Sequence, residues 1–270
     1  MKLKTIICLI LAFLIVVGIA FMTRQPRQKP HGLTIKEGEL TVGVEIGYPP
    51  MEYLDTDGKT PVGFDVELAH RLAEKLGLKT VFVDTAWDGI FDGVEIGRYD
   101  CIISSITYTD ERLKIHNFTK PYIGTAQVMI ALKGAHVDAR SPEETAGLSV
   151  AFQGETVSQR YMEKLAAQGV DFVPLAYDKI LNCFEELRLG RVDTILCDTL
   201  VASFYLSPDN SDFEIIWLGP SDEIFAICLK KGNDALTEAL DKALDELYAE
   251  GILAKMSWDY FNRDMVSSVR

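Results

Sequence analysis

Histidine is scarce in this 270-residue chain, and its four residues, His31, His70, His116 and His136, lie far apart. With no C-x-x-C pair and no HExxH, the sequence offers no metal-ligand spacing, and no metal is expected. A G-x-S-x-G elbow and a phosphate-binding glycine loop are also missing, so no cofactor is expected and enzyme chemistry has few carriers. Positive charge is short: 27 Lys and Arg stand against 40 Asp and Glu, a net charge of −13. That excludes a nucleic-acid binder, which needs a basic face for phosphates. The first 40 residues hold six basic and two acidic side chains, which leaves 21 against 38 and a net of −17 for the remainder. Such an acidic body suits cationic ligands, and a solvated acidic surface explains it equally well.

Cysteine is sparse too. Cys8 sits in an apolar N-terminal run, while Cys101, Cys197 and Cys228 lie in strand-like apolar segments and Cys183 in a helical one. They read as free, buried thiols, although an even number in an exported protein leaves a disulfide open.

Lys2 and Lys4 precede the uninterrupted apolar run Ile6 to Met22. Residues 1–22 therefore read as a secretory signal peptide or an uncleaved membrane anchor. Gly18-Ile19-Ala20 supplies a small-x-small cleavage site, but the run continues toward bilayer-spanning length. Export is expected, to the periplasm or the outer face of the cytoplasmic membrane. Residues 23–39 are polar, carry Pro26, Pro30 and Gly32, and read as a tether.

From Leu40 onward, strand and helix signals alternate in two blocks. Each block is punctuated alike, by Gly97-Arg98-Tyr99-Asp100 and by Gly190-Arg191-Val192-Asp193. This alternation predicts an α/β fold of two similar lobes, each a mainly parallel sheet flanked by helices. The strand Tyr99–Ser104 leads into Ser104-Ser105-Ile106-Thr107-Tyr108-Thr109-Asp110-Glu111-Arg112. Hydroxyl residues at a strand's carboxyl end leave backbone groups open to a small ligand, and the arginine one turn later can grip a carboxylate. A capped surface loop would look the same. Gly63-Phe64-Asp65-Val66-Glu67-Leu68 opens an amphipathic helix whose buried stripe is Phe64, Leu68, Leu72 and Leu76.

These two motifs, with Gly47-Tyr48-Pro49-Pro50, Phe118-Thr119-Lys120-Pro121-Tyr122 and the ending Gly251-Ile252-Leu253 through Trp258 and Phe261, resemble the periplasmic (type 2) amino-acid-binding proteins of ABC importers, in order and spacing from about Leu40 to Asp264. The resemblance implies a two-lobed periplasmic-binding-protein-like fold with a two-strand hinge. Lobe 1 would take residues 33–122 plus 222–270, and lobe 2 residues 123–220. It implies a monomer that binds a free amino acid by hinge closure and delivers it to the transmembrane subunits of an ABC permease.

Residue by residue, the resemblance implies that Arg112 binds the α-carboxylate. Thr107 and, from the other lobe, Thr156 would add donors. Asp198, at a strand end, would take the α-ammonium with the Ser105 carbonyl and the Thr107 hydroxyl, Ser104 lying beside them. Capping the next helix is Asp198's other reading. Tyr48 and Trp87 would be walls, and Met51, where relatives carry phenylalanine, would loosen the pocket. Gly154-Glu155-Thr156 departs from the family's glycine and two small hydroxyl residues, so Glu155 either faces the cleft or is a solvated helix-start acid. Glu45, three residues before Tyr48, stands where relatives taking basic or amide amino acids carry an acid. Glu45 and Glu155 would together favour cationic or amide side chains. The alternatives are a cyclohexadienyl-dehydratase-like enzyme on the same fold, with Glu155 or Glu45 as its acid, and a sensor input domain.

Overall fold

A computed structural model describes residues 32–206 and 211–269. The expected signal or anchor segment, and all but the last residues of the tether, lie outside the described residues. In chain order the strands are β1 (Glu39–Val44), β2 (Tyr53–Leu54), β3 (Pro61–Val62), β4 (Lys79–Asp84), β5 (Cys101–Ile102), β6 (His116–Thr125), β7 (Gln127–Leu132), β8 (Ser149–Gln153), β9 (Val173–Tyr177), β10 (Thr194–Asp198), β11 (Phe213–Leu218) and β12 (Glu223–Lys230). They build two five-stranded sheets, ordered β4-β1-β5-β12-β6 and β11-β7-β10-β8-β9, and a small β2–β3 hairpin.

Each sheet is half parallel and half antiparallel. β1 pairs in parallel with β4 and β5, and β8 with β9 and β10. The antiparallel halves come from the strands that pass between lobes, β6 and β12 in one sheet, β7 and β11 in the other. β6 runs into β7 through Ala126 alone, and β11 returns to β12 across 219–222. The two crossings lie side by side, with Glu223 paired to Thr125 and Gly219 N–H donating to the Gln127 carbonyl at 2.9 Å. Two adjacent strands bend together more easily than a packed interface, which is the mechanical requirement of a hinge.

Burial explains the elements. Leu40, Val42 and Val44 of β1 are fully buried beneath Phe64, Leu68 and Leu72 of the helix Phe64–Leu76. Gly63 precedes that helix at φ 126°, and a Cβ there would lie 2.2 Å from the Met51 carbonyl oxygen. Only glycine lets the loop 47–52 dock on the helix start, where Phe64 N–H and Asp65 N–H donate to Pro50 and Met51 carbonyls at 3.0 and 2.9 Å. Met51 is therefore a core residue and does not line the pocket that its sequence position suggested. Cys101, Cys183, Cys197 and Cys228 are free and buried.

The strand expected over Tyr99–Ser104 is shorter. Only Cys101 and Ile102 pair in the sheet, and the backbone leaves it through Ser105, in the left-handed region at φ 52°. That departure turns the serines toward the gap between the lobes.

Candidate functional site

The facing strand ends enclose a small cavity of about 30 Å³. Glu45 follows β1, Tyr48 sits on the braced loop, and Trp87 opens the short turn Trp87–Gly89. Ser104, Ser105 and Thr107 follow β5, and Arg112 lies on the helix Asp110–Ile115. The opposite wall is Gln153 at the end of β8, Thr156, Val157 and Ser158 at a helix start, and Asp198 at the end of β10. Nine of the ten residues singled out in the sequence line this one cavity; the exception is Glu155.

Arg112 is positioned before any ligand arrives. Thr109 caps its helix, accepting from Arg112 N–H at 3.2 Å. Arg112 Nη1 donates to the Thr107 carbonyl at 2.9 Å. Its guanidinium carbon lies 4.8 Å from the Phe91 ring centroid and 5.8 Å from that of Trp87. The side chain is buried, yet Nε and Nη2 have no hydrogen-bond partner. Burial pulls its pKa down to about 10, the Arg160 cation adds to the fall, and Glu223 offsets only part of it. Nε and Nη2 form one edge of the guanidinium, a fork that matches the two oxygens of a carboxylate.

The unpartnered groups cluster. Among the described residues, every buried side-chain nitrogen or oxygen lacking a partner belongs to Glu52, Asp65, Trp87, Ser105 or Arg112. All but Asp65 line the cavity, and Asp65 lies directly behind it. Each such group costs about 1–3 kcal/mol if it stays unpaired, so the lining at Trp87, Ser105 and Arg112 is built to receive polar atoms.

Hydrogen bonds cross the cleft from Tyr48, Gln153 and Lys179, and the Tyr53 ring faces that of Phe204 with centroids 6.0 Å apart. The Tyr48 hydroxyl donates to Asp198 Oδ2. Gln153 Nε2 donates to Glu45 Oε1 and Oε2 at 3.0 and 2.8 Å. Lys179 Nζ donates to the Ile46 carbonyl at 3.0 Å. Burial pushes the Glu45 carboxyl up to about 7, with the Gln153 amide pulling against it. Burial also raises Asp198, while the Tyr48 hydroxyl and the Val201 N–H of its own helix start hold it down. Asp198 is thus a helix cap and a cavity acid together.

Thr156 likewise caps its helix, accepting from Gln159 N–H at 3.4 Å, while its hydroxyl donates to the Gln153 carbonyl at 2.7 Å. Glu155 stands apart: exposed, at φ 58°, it borders a second, outer cavity of about 420 Å³ with Asp88, Asp178 and Lys179. Glu45 and Trp87 line both cavities and separate them. The sequence reading missed Gln153, Glu52 and Ser158. For Gln153 a signal existed, a polar residue closing the apolar strand Leu148–Gln153; Glu52 follows two prolines and a methionine and carries none.

The sequence profile of the bacterial extracellular solute-binding proteins, family 3, matches residues 40–263. The L-cystine-binding protein TcyJ of Escherichia coli K12 is 32% identical over 234 residues, covering 86% of both chains. Among solved structures, an ancestral arginine-binding protein bound to arginine aligns with a TM-score of 0.78 at 34% identity, over 83% of this chain and 99% of its own. An ancestral amino acid-binding protein described as a precursor of cyclohexadienyl dehydratase aligns with a TM-score of 0.75 at 27% identity, over 83% of this chain and 95% of its own.

Proposed function

This chain belongs to the bacterial extracellular solute-binding proteins, family 3, and we propose that it captures a free L-amino acid with a cationic or amide side chain by closing its two lobes. It then presents the closed complex to an ABC permease. The observation that carries the reading is the buried Arg112 fork, whose Nε and Nη2 have no partner of their own. A small carboxylate that reaches it regains two charge-assisted hydrogen bonds in a desolvated site.

The remaining roles follow the chemistry of an amino acid. Thr107 and Thr156 add donors to the α-carboxylate. Asp198 accepts the α-ammonium with the Ser105 carbonyl and the Thr107 hydroxyl. Tyr48 and Trp87 hold the aliphatic stem between them, and Ser104 fixes the floor. Glu45 receives the distal end. The lobes comprise residues 33–122 with 222–270, and 123–220. Residues 1–22 direct export, whether removed or kept as an anchor. The dehydratase-like alternative would use Glu45 or Glu155 as its acid, and recovery of the ligand unchanged after incubation and release would contradict it.

A second reading is favoured by the outer cavity. Lys179, Asp88 and Asp178 there offer both charge signs to the far end of a longer ligand that carries its own amino and carboxyl groups. Cystine, named for the relative TcyJ, has that form. Thermal-shift screening of the ligand-free receptor separates the two, since a ligand stabilises the state it binds. The first reading expects L-arginine, L-lysine or L-ornithine to give the largest shift, and the second expects L-cystine. Stabilisation by L-glutamate alone would contradict both.

A further inference from the structure

Glu52 and Asp65 form a buried acid pair at the floor of the cavity, Glu52 in its lining and Asp65 directly behind. Glu52 is 1% exposed and Asp65 is fully buried. The titratable groups that face them are Glu45 after β1, Tyr48 on the loop and Tyr122 on β6, none of them cationic. Glu52 Oε1 accepts from the Ser104 hydroxyl at 2.8 Å. Asp65 Oδ2 accepts from Ser105 N–H at 2.7 Å and from the Tyr122 hydroxyl at 3.0 Å. One oxygen on each acid, Glu52 Oε2 and Asp65 Oδ1, has no donor, and the two side chains lie within hydrogen-bonding reach of each other.

Two adjacent carboxylates in a dry interior without a counter-cation cannot both stay ionised. One proton shared between the two carboxyls gives each of them the partner it lacks. Its owner follows from the other contacts. Asp65 already draws two donors and sits in the first turn of the helix Phe64–Leu76, where the dipole favours an anion. Glu52 has one donor and no helix end. Burial raises both acids, Glu52 well above the carboxylate range and Asp65 only to about 7, in the same order.

We propose that Glu52 is a neutral carboxylic acid in the folded receptor, donating its proton to Asp65 and acting as a positioning residue for Ser104 and Ser105. A continuous chain then runs beneath the ligand. Glu45 N–H donates to Ser104 Oγ at 3.0 Å, and the Ser104 hydroxyl donates to Glu52. Glu52 donates to Asp65, which holds the Ser105 N–H in its left-handed turn. The proton thereby fixes the end of β1, which carries Glu45, and the Ser105 carbonyl proposed to meet the ammonium. The effect on affinity rests on the amino-acid reading above; the protonation state does not.

The test has two arms. Infrared spectroscopy of the folded wild type at about pH 9, where acids raised only to about 7 have ionised, should keep a protonated-carboxyl C=O band, and Glu52→Gln should remove it. Absence of that band in folded protein overturns the proposal whatever the ligand. The second arm is calorimetry with L-arginine. Glutamine keeps the acceptor toward Ser104 and supplies an N–H toward Asp65, so Glu52→Gln should bind within about threefold of wild type, while Glu52→Ala and Asp65→Asn lose more than roughly tenfold. The reverse order, Asp65→Asn tolerated and Glu52→Gln not, would place the proton on Asp65 and overturn the assignment. A wild type that shows the band yet binds no amino acid would contradict the ligand reading alone.

Discussion

A single amide group of Gln153 spans both carboxylate oxygens of Glu45, at 3.0 and 2.8 Å, from the opposite side of the cleft. The acid is thereby held by a neutral donor on the other lobe. A ligand end that reaches Glu45 must join or replace that amide, and a cation does so with the greater gain because it adds charge to the hydrogen bond.

Specificity should therefore rest on Glu45. Glu45→Gln should weaken L-arginine by roughly 1.5–3 kcal/mol, the scale of one charge-assisted hydrogen bond, and affect a neutral amino acid much less. Glu155→Gln should change arginine affinity by less than about twofold, because Glu155 is exposed on the outer rim. Calorimetry that finds Glu155 to be the residue that matters would reverse the assignment.

The same carboxyl gives binding a pH dependence of defined sign. Burial pushes Glu45 up to about 7, so it holds its proton below that pH and is anionic above it. Affinity for L-arginine should rise between about pH 6 and about pH 8, and binding near neutrality should release protons into the buffer. Titrations in two buffers of different ionisation enthalpy measure that release. Proton uptake on binding would contradict the account.

Stability of the ligand-free protein should move the other way. Glu45, Asp65 and Glu223 are each raised by burial to about 7. Their pKa values in the unfolded chain are about 4, so between about pH 4 and about pH 7 the folded state binds more protons than the unfolded state. Stability therefore falls as pH rises through that window. Melting should occur at higher temperature at about pH 5.5 than at about pH 8, and a rise in Tm with pH would show that these acids are not buried as described.

Hinge motion is the fourth expectation. The crossings at Ala126 and at 219–222 are neighbours, while the lobes touch across the cleft through few side-chain contacts, Tyr48 to Asp198 and Gln153 to Glu45 among them. Small-angle scattering should show a smaller radius of gyration with saturating L-arginine than without it. An unchanged profile would mean a rigid cleft.

Much of the site could be read from the sequence because it lies where apolar strands end. Ser104 and Asp198 close apolar runs, and open α/β sheets turn such ends toward a ligand. Arg112 followed from its capped helix. The alternation of strand and helix revealed both lobes, but not the antiparallel half of each sheet. Pro121 and Gly124 interrupt β6, so that segment read as a connection, and Glu214 breaks the otherwise apolar run of β11. Gln153 also closes an apolar run, but nothing local reveals its partner, and Glu52 carries no local signal at all. Gln153 meets Glu45 108 residues away across the cleft, and Glu52 meets Ser104 52 residues away through a tertiary contact. Glu155 shows the converse: its spacing matched the motif, but its backbone turns the side chain out to solvent.

The central claim, that the orphan fork of Arg112 receives a ligand's carboxylate, is tested most directly by calorimetry of Arg112→Ala with the best ligand of the screen, beside a circular-dichroism melt that establishes folding. Removing one partner of a buried charge pair costs on the order of 2–5 kcal/mol, so a folded variant should bind at least about thirtyfold more weakly for every amino acid tried. Affinity within about threefold of wild type in a folded Arg112→Ala protein would contradict the account.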